Sequence, residues 1–220
     1  MRRILRSPIN KALVLAILTL YAAFIYLDIF TSHYMWANFL KFVSIVLCFG
    51  LAIALYKCSG ERIDSKFVVM ALFVTVIADI FLIFTSYKLA GVLTFCLVQL
   101  IYLKRYNHRL FNFGIVVLTA GLIATFFLPL PTLTIMGATY AILILTCFFA
   151  TFKTDLSRFN LKCVRVGMLL FILCDVYVAL YNQLLSSSAY YQIAGNLIWI
   201  FYLPAQLLLA MSSYHPRRYT

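Results

Sequence analysis

Eight apolar runs, most of them about as long as a bilayer is thick, follow one another with no intervening polar stretch long enough to fold alone. They cover residues 12–30, 35–56, 67–86, 89–103, 111–128, 132–152, 163–181 and 190–212. A hydrocarbon core of ~30 Å is crossed by roughly 20 helical residues. Backbone in that medium must satisfy its own hydrogen bonds, so each run is predicted to be helical despite its Val, Ile and Phe content. The expected fold is all-α: a polytopic membrane bundle of about eight transmembrane helices, forming one integral membrane domain over residues 1–220. Composition excludes a soluble alternative, because 65% of the residues are hydrophobic and only 11% charged, too little polar surface for water. Met1-Arg2-Arg3 before an apolar stretch has the outline of a signal peptide. The run from Ala12 to Phe30 is longer than such a segment needs, so it is read as the first helix.

The net charge of +12 sits in short clusters between the runs, which matches an anionic lipid leaflet and gives no reason to expect a nucleic-acid partner. With the N-terminus inside, the inner segments carry Arg2, Arg3, Arg6 and Lys11; Lys57, Arg62 and Lys66; Lys104, Arg105 and Arg109; Lys153, Arg158, Lys162 and Arg165; and Arg217 and Arg218. These are 16 of the 18 basic residues, leaving Lys41 and Lys88 outside. The alternation holds at every loop and predicts a multi-pass protein of the cell membrane with both termini cytoplasmic. Tyr34, Trp36, Tyr87, Tyr181, Tyr190 and Tyr191 near outer ends, and Tyr56, Tyr106 and Tyr214 near inner ends, fit an interfacial aromatic belt.

Several chemistries have no signature. The six cysteines (Cys48, Cys58, Cys96, Cys147, Cys163, Cys174) form no CxxC, and His33, His108 and His215 fall in predicted loops or the tail, so no metal site is signalled. GxSxG, HExxH and Gly-rich phosphate loops are absent, which argues against a serine or metal hydrolase.

Of six acidic residues, Asp28, Glu61, Asp64 and Asp155 lie at predicted helix ends or in loops. Asp79 and Asp175 do not. Each follows an inner-side lysine, Lys66 or Lys162, by 13 residues, hence by ~20 Å of helix, and the two lie at similar depth. An intramembrane aspartate costs on the order of 3 kcal/mol even on the mild insertion scale. With no Lys or Arg at that depth, the pair is expected to share a proton, a neutral acid beside a carboxylate. Amides gather on nearby helical faces: Asn196, Trp199, Tyr202 and Gln206 share one face of the eighth run, and Gly91, Phe95, Gln99 and Tyr102 one face of the fourth. Asn182 lies two turns beyond Asp175. Gly91, Gly137, Gly167 and Gly195 are expected to allow close helix approach. The Asp79 and Asp175 segments, and Val98-Gln99-Leu100 with Ala205-Gln206-Leu207, stand four helices apart. That spacing suggests a parallel 4+4 repeat with a site at its interface.

These segments also carry a family resemblance. Ala78-Asp79, the stretch from Gly91 through Gln99-Leu100-Ile101-Tyr102, Gly167 through Cys174-Asp175, and Tyr202-Leu203-Pro204-Ala205-Gln206-Leu207-Leu208 resemble the YhhN/lysoplasmalogenase family in order and spacing from the third helix to the eighth. In that family Gly commonly precedes the first aspartate, Ser the second, and His stands where this chain has Gln99. The resemblance implies cleavage of the vinyl-ether bond of a lysophospholipid, the lysoplasmalogen, to a fatty aldehyde and a glycerophospho-alcohol, with no cofactor. It implies catalytic roles for Asp79 and Asp175, as a proton donor and a carboxylate that activates water. Gln99, Tyr102, Asn182, Asn196, Tyr202 and Gln206 would bind substrate. A small proton-coupled transporter built on the aspartate pair is the alternative, and a scaffold indifferent to both carboxyls a third reading.

Overall fold

The computed structural model of the chain describes residues 7–31, 33–60, 62–183 and 189–215. The described residues form eight helices and no strand: α1 (Pro8–Phe30), α2 (Tyr34–Cys58), α3 (Arg62–Phe84), α4 (Lys88–Tyr106), α5 (His108–Phe127), α6 (Thr132–Ala150), α7 (Arg158–Gln183) and α8 (Ala189–Met211). All eight are long and apolar enough to cross a membrane. The chain is a multi-pass membrane protein. Arg2, Arg3, Arg6, Glu61, Arg217 and Arg218, which carry part of the charge pattern, lie outside the described residues.

Several helices outrun their apolar stretches. α3 begins at Arg62 rather than 67, α7 at Arg158 rather than 163, and α4 continues to Tyr106 rather than 103. Hydropathy marks only what lipid tails touch, whereas a hydrogen-bonded helix continues until a cap or turn stops it. The α4–α5 junction shows such a stop. Asn107 alone separates the helices, and its side chain accepts from the backbone N–H of Arg109 at 2.9 Å and of Leu110 at 3.1 Å, capping α5. Inside the spans, the hydroxyls of Ser44, Thr75, Thr94 and Thr139 each donate to the carbonyl four residues back, so these polar groups enter the apolar medium already paired.

Short loops make successive helices antiparallel. The starts of odd-numbered helices and the ends of even-numbered ones therefore share one end of the bundle, where Lys57, Lys66, Lys104, Arg105, Lys153 and Arg158 gather; hereafter this is the basic end. At the opposite end Lys41 is not a free cation. It is buried in a 2.8 Å ion pair with Asp28 and lies 5.0 Å from the Trp199 ring. Two basic-end expectations are corrected. Arg105 is not a loop cation: its side chain is wholly buried, paired to Asp64. Tyr106 is not a belt residue either, being buried in parallel stacking on Tyr102 at 5.9 Å.

Helix pairings recur with a shift of four. α1 packs on α2 as α5 on α6, α2 on α3 as α6 on α7, and α3 on α4 as α7 on α8. α4 meets α5 and α6, while α8 closes the ring onto α1 and α2. This is the pattern produced by two four-helix units related by an axis along the bundle. α4 and α8 have the two lowest mean hydropathies, 1.3 and 1.6, and α4 is the most buried of the eight. α5 lies on the outside. Its only buried residues are Gly114 and Gly121, and a methyl group added at Gly121 would overlap Thr139 of α6. Gly167 makes the close approach expected of it, 3.3 Å from the Ala205 carbonyl to where a Cβ would stand. Gly137 does not, since nothing lies within 4 Å of the corresponding point.

Pro204 sits inside α8 without breaking it. Proline has no N–H to offer the carbonyl four residues back, that of Ile200. The Tyr21 hydroxyl of α1 donates to that carbonyl at 3.0 Å, supplying the missing bond.

Candidate functional site

Asp79 and Asp175 come from α3 and α7, and each carboxyl is held by a tyrosine of another helix. The Tyr202 hydroxyl on α8 lies 2.9 Å from both carboxylate oxygens of Asp79. The Tyr140 hydroxyl on α6 donates to Asp175 at 2.7 Å. Asp79 is 3% exposed and Asp175 half-buried. The aspartates thus meet through tyrosines rather than through each other.

The two pairs converge on one aromatic cluster. The Phe95 ring of α4 lies 6.0 Å from that of Tyr140, 6.4 Å from Tyr202 and 5.8 Å from Phe171. Trp199 adds an edge contact to Tyr202 at 5.4 Å. Cys174, beside Asp175 in the chain, lies within electrostatic reach of both carboxyls. Among the described residues no Lys, Arg or His forms an ion pair with either aspartate; the ion pairs join Lys41 to Asp28, and Arg105 and His215 to Asp64. Two acids, two phenols and a thiol in an aromatic wall make a site suited to proton transfer on a largely apolar molecule.

The other residues singled out from sequence divide into two groups. Gln99 and Gln206 are fully buried, one turn along α4 from Phe95 and one turn along α8 from Tyr202. Gln99 stands beside Tyr140. None of the four amide atoms of the two glutamines makes a well-formed hydrogen bond, although the Gln99 amide comes close to the Tyr140 hydroxyl. Tyr102, also fully buried, continues the Gln99 face with an unpartnered hydroxyl. Asn182 and Asn196 are not brought into the cluster. The Asn182 side chain is exposed and donates to the Val178 carbonyl of its own helix at 2.7 Å. Asn196 is half-buried, six residues before Tyr202 on α8 and on the far side of Trp199.

Tyr140 was not singled out from sequence. It is the only tyrosine in α6 and stands mid-helix, where a belt residue has no place; that anomaly is the signal. A second polar cluster closes the basic end. Arg105 pairs with Asp64 through Nε at 2.8 Å and Nη2 at 2.7 Å, and donates from Nη1 to the Ser212 hydroxyl at 2.8 Å. His215 Nε2 lies 2.7 Å from the same carboxyl.

The model of the YhhN family matches residues 36–213, most of the chain. The chain belongs to the YhhN family. No curated protein and no solved structure matches it. The YhhN match begins within α2 and takes in both aspartates, both tyrosines and the basic-end cluster as far as Ser212, leaving α1 outside.

Proposed function

We propose that this YhhN-family protein is an intramembrane hydrolase that cleaves the vinyl-ether bond of lysoplasmalogens. The observation that carries the reading is the convergence of two tyrosine-held aspartates on one aromatic cluster midway along the bundle. Family membership supports it, since the YhhN family is associated with lysoplasmalogenase-like activity.

The chemistry follows from the substrate. A vinyl ether is protonated on the carbon remote from oxygen, giving an oxocarbenium ion. Water adds to the carbon next to oxygen, and the hemiacetal collapses to a fatty aldehyde and a glycerophospho-alcohol. One aspartic acid donates the first proton and the other carboxylate takes one from the attacking water, the division of labour of paired carboxyls in glycoside hydrolysis. Charge is costly in hydrocarbon, so one of the two carboxyls rests protonated, each held by its own tyrosine. The cation formed in the reaction then faces a carboxylate and aromatic rings. The alkenyl chain enters between helices from the bilayer, which is both solvent and substrate store. The protein lies in the cell membrane with its basic end, and so both termini, on the cytoplasmic side, as the positive-inside rule requires.

Supplying lysoplasmenyl-ethanolamine to the purified protein in detergent tests the reading. Aldehyde should be released, and Asp79→Asn or Asp175→Asn should each abolish release while leaving the protein folded. Full activity in both variants would remove the pair from the mechanism. The recurring helix pairing also suits a small proton-coupled transporter; flux into proteoliposomes without product would favour that alternative.

A further inference from the structure

α4 and α8 run parallel and in register, facing each other across the bundle through side chains rather than by close backbone packing, and their facing surfaces form a seam. Phe95 of α4 meets Tyr202 of α8 at 6.4 Å between ring centroids, and Arg105 meets Ser212 at 2.8 Å. Both partners of the second contact lie ten residues beyond those of the first, so the helices are parallel and keep the same depth along ~15 Å. Gln99 and Gln206 each fall four residues past the first contact, level with one another and on the facing sides. Tyr102 and Tyr106 continue the same face of α4 toward the basic end, ring on ring, with the Arg105 guanidinium 5.6 Å from the centre of the Tyr106 ring.

This seam holds most of the unpaired polar groups in the bundle. Eight buried side-chain nitrogen and oxygen atoms among the described residues make no well-formed hydrogen bond. Six of them belong to Gln99, Gln206, Tyr102 and Tyr106. Buried groups of this kind are costly unless something polar meets them. What meets them must be small, neutral, and both donor and acceptor, because the lining is amide and hydroxyl with no free charge. A lipid chain offers no hydrogen bonds, and an ion would need an opposite charge. Water satisfies every condition.

We infer that the α4–α8 seam holds a file of ordered water running from the aspartate site to the Arg105–Asp64–His215 cluster, and that this file supplies the water consumed in hydrolysis. At the basic end Asp64 is 16% exposed while Arg105 is wholly buried, so the cluster joins the seam to the aqueous surface. Each turnover takes one water: its oxygen joins the carbon next to the ether oxygen, and the proton it loses replaces the one given to the substrate. The file therefore delivers neutral water with no net proton flow. The fate of this water rests on the hydrolase reading; its presence does not.

Hydroxyl-radical footprinting by X-ray radiolysis of the whole protein in nanodiscs is the test, because radicals form from water in place and mark the side chains beside it. After correction for intrinsic reactivity, Tyr102 and Tyr106 should be modified roughly tenfold faster than Phe24 and Leu51, fully buried members of the same core that stand on α1 and α2 and carry no polar atom. Gln99→Leu with Gln206→Leu should bring Tyr102 down to the control rate and slow aldehyde release, whereas Gln99→Asn with Gln206→Asn should keep the labelling. Tyr102 labelled no faster than Phe24 in the unaltered protein would overturn the inference even if the enzyme is active. Undiminished hydrolysis in the double Leu variant would overturn the supply role. Labelling without lysoplasmalogen cleavage would keep the file and reject the hydrolase.

Discussion

The Tyr202 hydroxyl lies 2.9 Å from each carboxylate oxygen of Asp79. One donor thus serves a carboxyl that is 3% exposed and forms no ion pair. Tyr202→Phe removes it and should cost about 1–3 kcal/mol of stability, read as a lower unfolding midpoint in detergent, with aldehyde release reduced by at least about tenfold. Tyr140→Phe should slow release similarly but cost less stability, because the half-buried Asp175 has other surroundings to turn to. Equal stability losses would mean that the difference in burial between the two carboxyls has no energetic consequence.

Arg105 and Asp64 form a two-point ion pair, with hydrogen bonds of 2.8 and 2.7 Å and the guanidinium wholly buried. Removing one member strands the other. Arg105→Met is therefore expected to destabilise by about 3–5 kcal/mol, and Arg105→Met with Asp64→Leu to recover much of the loss. A double-mutant cycle on chemical unfolding measures this; additive losses would deny the coupling.

Two glycines should behave oppositely. Gly121→Ala pushes a methyl group into Thr139 and should cost roughly 1–3 kcal/mol, partly relieved by Thr139→Ala. Gly137→Ala meets nothing and should stay within about 0.5 kcal/mol of the unaltered protein. Thermal midpoints of the three variants decide it.

Cys58 is exposed at the basic end, and the other five cysteines are buried. A membrane-impermeant maleimide should label sealed, right-side-out vesicles only after they are opened, and Cys58→Ser should abolish that labelling. Labelling of intact vesicles would reverse the proposed orientation.

The helices were legible in sequence because lipid allows few alternatives: an apolar run in hydrocarbon must close its own hydrogen bonds. Counting residues from Lys66 and Lys162 placed Asp79 and Asp175 at one depth for the same reason, a constant rise per residue. What stayed hidden depends on partners. Tyr140 stands out in sequence only as a mid-helix tyrosine, and its partner Asp175 is known only once folding brings α7 beside it. Arg105 and Tyr106 look like interfacial residues because nothing local reveals that Asp64, 41 positions away, reaches the guanidinium. Asn182 lies on the Asp175 side of α7 by spacing, yet its amide bonds its own helix and is exposed. Whether a glycine admits a neighbour is decided by that neighbour, so Gly114, Gly121 and Gly137 look alike in sequence although only the first two face one closely.

Tyr21 filling the bond that Pro204 cannot make has a consequence for where the cooperative unit begins. α1 precedes the YhhN match, and by the family boundary alone it would pass for a dispensable addition. Yet its phenol completes the backbone two residues before Tyr202, and Phe24 of the same helix carries the ring chain on to Trp199 at 5.9 Å. A chain trimmed to the family boundary would leave a bare carbonyl facing lipid next to the residue that grips Asp79. The smallest piece of this protein that keeps a working centre therefore starts before its recognisable domain does.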